Sequence, residues 1–159
     1  MNEQLVYRLC TSLLIPVYSG LPGLWIAEIM RKKNSSFFYS VKNFELTKNI
    51  GFYKLMGLDF FTYCVKNTFF RHCNTKIKIA KKPDINVVNN LLNEITISEL
   101  CHIFGFLIVL LFQITALILG LYDMFWFSLI PNIIFNIYPV LLQERNKLRL
   151  RNFLKISEH

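Results

Sequence analysis

Acidic residues are scarce in this chain: ten Asp and Glu stand against eighteen Lys and Arg among 159 residues, a formal net charge of +8 with only 18% of positions charged. So little charge, beside an apolar share of 53%, excludes a disordered chain and an ordinary soluble domain. Cysteine is sparse too, and Cys10, Cys64, Cys73 and Cys101 include no CxxC spacing, which excludes a zinc knuckle and a disulfide framework. The adjacent pairs His72–Cys73 and Cys101–His102 carry zinc-preferred ligand types, but sequence neighbours rarely ligate together from a helix. No metal and no resident cofactor is therefore expected, and the thiols read as small packing groups. There is no phosphate-cradling glycine loop, no GxSxG and no HExxH. The lysines interleave with apolar patches and form no dedicated basic module, so nucleic acid is not an expected partner.

Apolar and aromatic residues are abundant: 15% of positions are aromatic, and the mean hydropathy is +0.38. No charged side chain occurs from Ile103 to Leu121, and none from Met124 to Leu142. Each run can cross a hydrocarbon core of about 30 Å. Only Tyr122 and Asp123 separate them, which predicts a tight antiparallel hairpin with Tyr122, Trp126 and Phe127 at an aromatic belt. A further span is predicted over 5–30. Arg8 near its end can snorkel, Pro16 and Pro22 kink it, and Gly20 and Gly23 allow close helix packing. It does not read as a signal peptide, because no basic cluster precedes it and no small-x-small cleavage site stands before Arg31.

Apart from Arg8, every Lys and Arg falls between Arg31 and Lys82 or between Arg145 and Lys155. The positive-inside rule places both blocks in the cytoplasm, with the N-terminus and Asp123 outside. The predicted fold is thus an all-α, multi-pass protein of a bacterial inner membrane, a single membrane domain over 1–159 with about three transmembrane helices. Residues 34–93 form a cytoplasmic or interfacial region, amphipathic or re-entrant, whose apolar patches are interrupted by Lys42, Lys48, Lys54, Asp59 and Lys66. A fourth buried span over 52–70 stays open, 76–90 reads as an exposed linker, and 143–159 is a basic cytoplasmic tail.

Polar groups inside an apolar hairpin are costly unless they have a partner or a task. Helical periodicity puts Glu99, His102 and Gln113 on one face of the first hairpin helix, and Asn132, Asn136 and Gln143 in one stripe on the second. With the turn between Tyr122 and Asp123, His102 lies opposite Gln143, and Gln113 opposite Asn132. The Gln113–Asn132 pair reads as an interhelical hydrogen bond holding the hairpin. For Glu99, His102, Asn136 and Gln143 a site and a structural role stand side by side.

Glu94 to His102 (Glu-Ile-Thr-Ile-Ser-Glu-Leu-Cys-His) and Asn132 to Arg149 (ending Asn-Ile-Tyr-Pro-Val-Leu-Leu-Gln-Glu-Arg-Asn-Lys-Leu-Arg) together resemble the glycosyl-4,4'-diaponeurosporenoate acyltransferase family of small bacterial membrane proteins. That family pairs a Glu-Thr-x-x-Ala-Glu-x-x-His segment with a later Asn-x-Tyr-Pro-x-x-x-Gln-Arg-Tyr-Asn-Arg-x-Arg segment. The resemblance implies Glu94, Glu99, His102, Asn136, Pro139, Gln143, Asn146 and Arg149 at motif positions, with departures at Glu144-Arg145 and Lys147. It also implies transfer of a fatty acyl group to a sugar hydroxyl of a carotenoid glycoside.

Chemically, such a transfer needs a base for the hydroxyl and donors for the oxyanion. His102, oriented by Glu99, is the expected base, with Asn136 and Gln143 as donors. Glu94, Arg145, Asn146, Lys147 and Arg149 are the expected substrate-binding groups, the cations holding phosphates of an acyl-CoA or acyl-carrier-protein donor, while positive-inside anchoring explains those cations equally well. Expected partners are the lipid membrane and a glycolipid or isoprenoid acceptor. The alternative is a non-catalytic membrane subunit that docks a larger membrane-protein partner.

Overall fold

The structure is a computed structural model that describes residues 3–67 and 85–157, with side chains to residue 152. Among these residues every regular element is helical, in the order α1 (Glu3–Tyr18), α2 (Gly20–Lys32), α3 (Ser36–Asn43), α4 (Ile50–Leu55), α5 (Leu58–Asn67), α6 (Ile85–Ile118), α7 (Tyr122–Asn132), a π-helical turn (Ile133–Ile137) and α8 (Tyr138–Ser157). Three stretches, Glu3–Lys32, Ile85–Ile118 and Tyr122–Asn152, are long and apolar enough to cross a membrane. The all-α architecture with three spans is the one the sequence predicts. His72, Cys73 and most of the expected linker over 76–90 lie outside the described residues. Its last part, from Ile85, already belongs to α6.

Local chemistry explains the breaks between helices. Pro22 has no N–H for the carbonyl of Tyr18, and the Ser19 hydroxyl donates to the Pro16 carbonyl at 2.8 Å. The first long helix is accordingly interrupted at Ser19. At the hairpin, Gly120 takes a positive φ of 71°, its N–H reaches the Leu117 carbonyl at 3.1 Å and the Leu121 N–H reaches Ala116 at 2.8 Å. This is a Schellman end, which needs a residue free of the Cβ penalty at that position. The turn is therefore centred on Gly120 and Leu121, earlier than the Tyr122–Asp123 position expected from the charge-free runs.

Moving the turn changes every cross-helix pair. Gln113 bonds Ser128 at 3.3 Å, in place of the expected Asn132. Gln143 bonds Ser98 at 3.0 Å, in place of the expected His102. Both observed partners sit one helical turn from the expected ones, as a turn displaced by two residues requires.

α2 packs along α6, and α1 along α7. A methyl at Gly23 would overlap the Cys101 carbonyl, and the Cys101 thiol donates to the Gly20 carbonyl at 3.1 Å. Small residues thus bring two backbones together where no hydrophobic force would. At the hairpin end, Arg8 of α1 pairs with Asp123 of α7 at 3.3 Å. At the opposite end α6 and α8 run on together; two apolar clusters seat short helices on them and a third holds α6 to α8. Tyr53 and Leu58 pack with Leu141, Leu142 and Leu148; Ala27 and Phe38 pack with Ile97 and Leu100; Val88, Leu92 and Ile95 pack with Leu150. Nearer the hairpin the helices turn apolar side chains such as Leu111, Ile118, Trp126 and Ile130 outward, the surface a bilayer would cover.

Candidate functional site

The two motif segments noted in the sequence face each other along the α6–α8 seam. Ser98 meets Gln143, Glu99 meets Lys147 at 2.7 Å, and His102 meets the Asn136 side chain and the Phe135 carbonyl. The last contact follows from the sequence. Pro139 has no N–H to offer the carbonyl of Phe135 four residues earlier, and Asn136 is buried in the adjoining π turn.

Asn136 is the hub of this seam. It is 1% exposed and donates both amide hydrogens, to Asn132 Oδ1 at 2.8 Å and to Ser19 Oγ at 3.3 Å. Its own Oδ1 would lie 2.6 Å from a Cβ placed at Gly105. His102 Nδ1 is buried with no hydrogen-bond partner. The contacts to Phe135 and Asn136 are thus left to Nε2, and Nδ1 is without a partner. Gly105→Ala is expected to push Asn136 off His102 and to cut turnover on the order of 100-fold, the scale of a misplacement of about 1 Å. Steady-state rates of the inserted variant check this, and wild-type turnover would show that the Asn136 position is dispensable.

A buried ion cluster lies on the head side of His102. Lys147 has no exposed surface. Its ammonium meets Glu99 and Glu144 at 2.7 Å each and donates to the carbonyls of Val41 at 2.8 Å and Phe44 at 3.3 Å. Glu144 also accepts from the Leu46 N–H at 3.1 Å, and Arg151 binds Glu45 at 2.6 Å and the Lys42 carbonyl. Residues 41–46 are in this way strapped to α8. On the other side Arg145 reaches Asp59 and Thr62 at 2.7 Å each, fastening α5. The Tyr53 phenol is buried beside the cluster. Burial, with Glu144, Glu45 and Glu99 nearby, pushes it up to about 12, so it stays neutral at physiological pH.

The structure sorts the sequence candidates by position. Glu99, expected to orient His102, is turned to Lys147, and the Phe135 carbonyl and Asn136 do the orienting. Arg145 and Lys147 are committed to carboxylates, whereas Arg149 is exposed. Glu94, 66% exposed, pairs with Arg31 at 3.6 Å, and Asn146 donates to Gln143 at 3.3 Å. Ser19, Ser98, Tyr53 and Glu144 join the seam without having been singled out in the sequence. Only Glu144 carried a signal, three residues before Lys147 on one helix. Glu144 and Lys147 are also two of the departures from the family pattern, and they bond each other.

A hairpin of apolar helices, a third span packed on it and a polar seam buried between them define a multi-pass α-helical membrane protein. The chain belongs to the glycosyl-4,4'-diaponeurosporenoate acyltransferase family, which matches residues 34–156. Membership makes it an acyltransferase of carotenoid biosynthesis. No curated protein and no solved structure matches the chain.

Proposed function

We propose that this chain transfers a fatty acyl group from a thioester donor to a sugar hydroxyl of a glycosylated carotenoid at the cytoplasmic membrane face. The observation that carries the reading is the unpartnered Nδ1 of His102, held where the two motif segments meet. With Nε2–H tied to Phe135 and Asn136, Nδ1 takes the proton of the acceptor hydroxyl as its oxygen attacks the acyl carbon. The new ester C–O bond forms, the C–S bond breaks, and the proton passes from Nδ1 to the leaving thiolate. Asn136 acts on the substrate only through His102, because both its amide hydrogens are spent. Of Arg145, Lys147 and Arg149, Arg149 is the one exposed to meet phosphates of an acyl-CoA or acyl-carrier-protein donor.

The positive-inside rule supports the face assigned. Arg8 and Asp123 mark the outer end, and the cations from Arg31 onward mark the cytoplasmic end, with the N-terminus outside. The test is mass spectrometry of pigments and lipids from cells carrying the wild-type chain, His102→Gln or no chain. An acylated glycoside that disappears in both deficient strains supports the reading. An acylated glycoside that persists in His102→Gln cells removes His102 from the site.

A further inference from the structure

We propose that α4 and α5 form a shelf sunk into the membrane leaflet on the head side, its apolar face against acyl chains and its lysines among anionic phospholipid headgroups. This surface is separate from the His102 seam. Its depth follows from what it packs on. Phe61 of α5 lies against Tyr138, ring centroids 5.1 Å apart, and Tyr53 and Leu58 pack on Leu141 and Leu142. Those α8 residues close the charge-free run that ends at Leu142, so α5 lies beside a segment at the edge of the hydrocarbon core. Arg145, just past that run, ties Asp59 and Thr62 at 2.7 Å each. The shelf therefore straddles the level at which α8 leaves the apolar layer.

The outer face of the shelf is unlike that of a helix in water. Leu58 and Phe61 pack toward α8, yet Phe60 and Tyr63 of the same helix are 73% and 67% exposed, and Leu55 at the end of α4 is 87% exposed. A surface helix in water gathers its apolar residues on one side, and a contiguous exposed apolar patch marks a place that something apolar covers. Among the described residues α4 and α5 pack on each other and on α8, which leaves this patch uncovered. Charge selects the occupant. Lys54 and Lys66 are exposed beside the patch, while the carboxylates of this end are held by other cations, Asp59 by Arg145, Glu45 by Arg151 and Glu144 by Lys147. Exposed cations over an apolar face at the bilayer boundary fit anionic headgroups above acyl chains. Tyr63 adds a ring with a polar tip, the amphipathic form that settles at that boundary. Six and ten residues give α4 and α5 lengths of about 9 and 15 Å, short of a core of about 30 Å. Gly57, at a φ of 71°, turns the chain between them. The described part of 52–70 is thus a bent helical pair within one leaflet and not a fourth span.

The test uses the full chain in bilayers of phosphatidylcholine and phosphatidylglycerol, with Trp25→Phe and Trp126→Phe to clear the background and Phe60→Trp as the reporter. Leu55→Trp is a second reporter on the same patch, and both side chains replaced are exposed. Val87→Trp is the control. Val87 is exposed too, but it lies near the start of α6, about 18 Å along the helix from Glu99 on the side away from the membrane. The Phe60→Trp emission is expected at shorter wavelength and quenched most by lipids brominated near the glycerol end of the acyl chain. Acrylamide in the water should quench Val87→Trp, and brominated lipids should not. At equal mole fractions, brominated phosphatidylglycerol should quench Phe60→Trp at least about twofold more than brominated phosphatidylcholine, a difference that Lys54→Glu with Lys66→Glu abolishes. Strongest quenching by bromine near the methyl end of the chain overturns the proposal, because the segment then runs deep or crosses. Acrylamide quenching equal to that of Val87→Trp overturns it by leaving the patch in water. A short-wavelength emission that no brominated lipid quenches overturns it in favour of a protein partner or a second copy of the chain. Equal quenching by the two brominated lipids with the lysines intact overturns it by removing the anionic headgroups.

Discussion

Lys147→Met is expected to lose about 3–5 kcal/mol of stability, enough to release the 41–46 segment from the head of the molecule. The side chain removed is fully buried and is the shared partner of Glu99 and Glu144. Without it two carboxylates face each other in a dry site, and the carbonyls of Val41 and Phe44 lose their donor. The penalty is that of an uncompensated charge and says little about the net worth of the intact cluster, because taking charged groups out of water was itself expensive. The triple replacement Glu99→Gln, Glu144→Gln, Lys147→Met should therefore recover most of the loss. Thermal unfolding in detergent, with limited proteolysis near residue 45, reads both effects. An unchanged midpoint for the single variant would show that water reaches the cluster and screens it.

The second large effect falls on rate. His102→Gln, inserted and folded, should lower kcat for acyl transfer by about 10²–10⁴, the usual contribution of a positioned general base. Gln offers no basic nitrogen at the position of Nδ1, yet its amide can still reach the Phe135 carbonyl and so preserve the seam. His102→Ala should lose at least as much. Comparing the two separates the base from the hydrogen bond to Phe135. A purely structural His102 predicts that Gln keeps activity and Ala loses it. Full turnover in both variants would place the chemistry elsewhere in the chain.

The polar stripes of the hairpin were legible because helical periodicity is local. Glu99, Gln113, Asn132 and Asn136 were placed on inward faces by their spacing, and all four are at most 2% exposed. Their partners were not legible. A turn at Gly120 in place of Tyr122–Asp123 moves each cross-helix bond by one turn, and a glycine inside an apolar run does not announce by itself whether it continues the helix or ends it. The π turn was hidden for a related reason. Pro139 signals a missing N–H, but whether the chain kinks or inserts a residue depends on the packing around it.

The cations of the tail show the same division. The sequence alone determined that this is an α-helical membrane protein with three apolar spans, basic residues gathered at one end and buried polar faces along its hairpin, because composition and periodicity are properties of short stretches of chain. It also carried the two motifs that the family shares. Only the tertiary structure decided that Lys147 and Arg145 are enclosed by carboxylates, that Arg149 is left outside, and that His102 lies against a carbonyl and an amide while its Nδ1 is unpartnered. Those outcomes depend on groups from α3, α5 and the α1–α2 junction meeting α6 and α8, and such non-local contacts are set by helix packing and turn register, which no local pattern encodes.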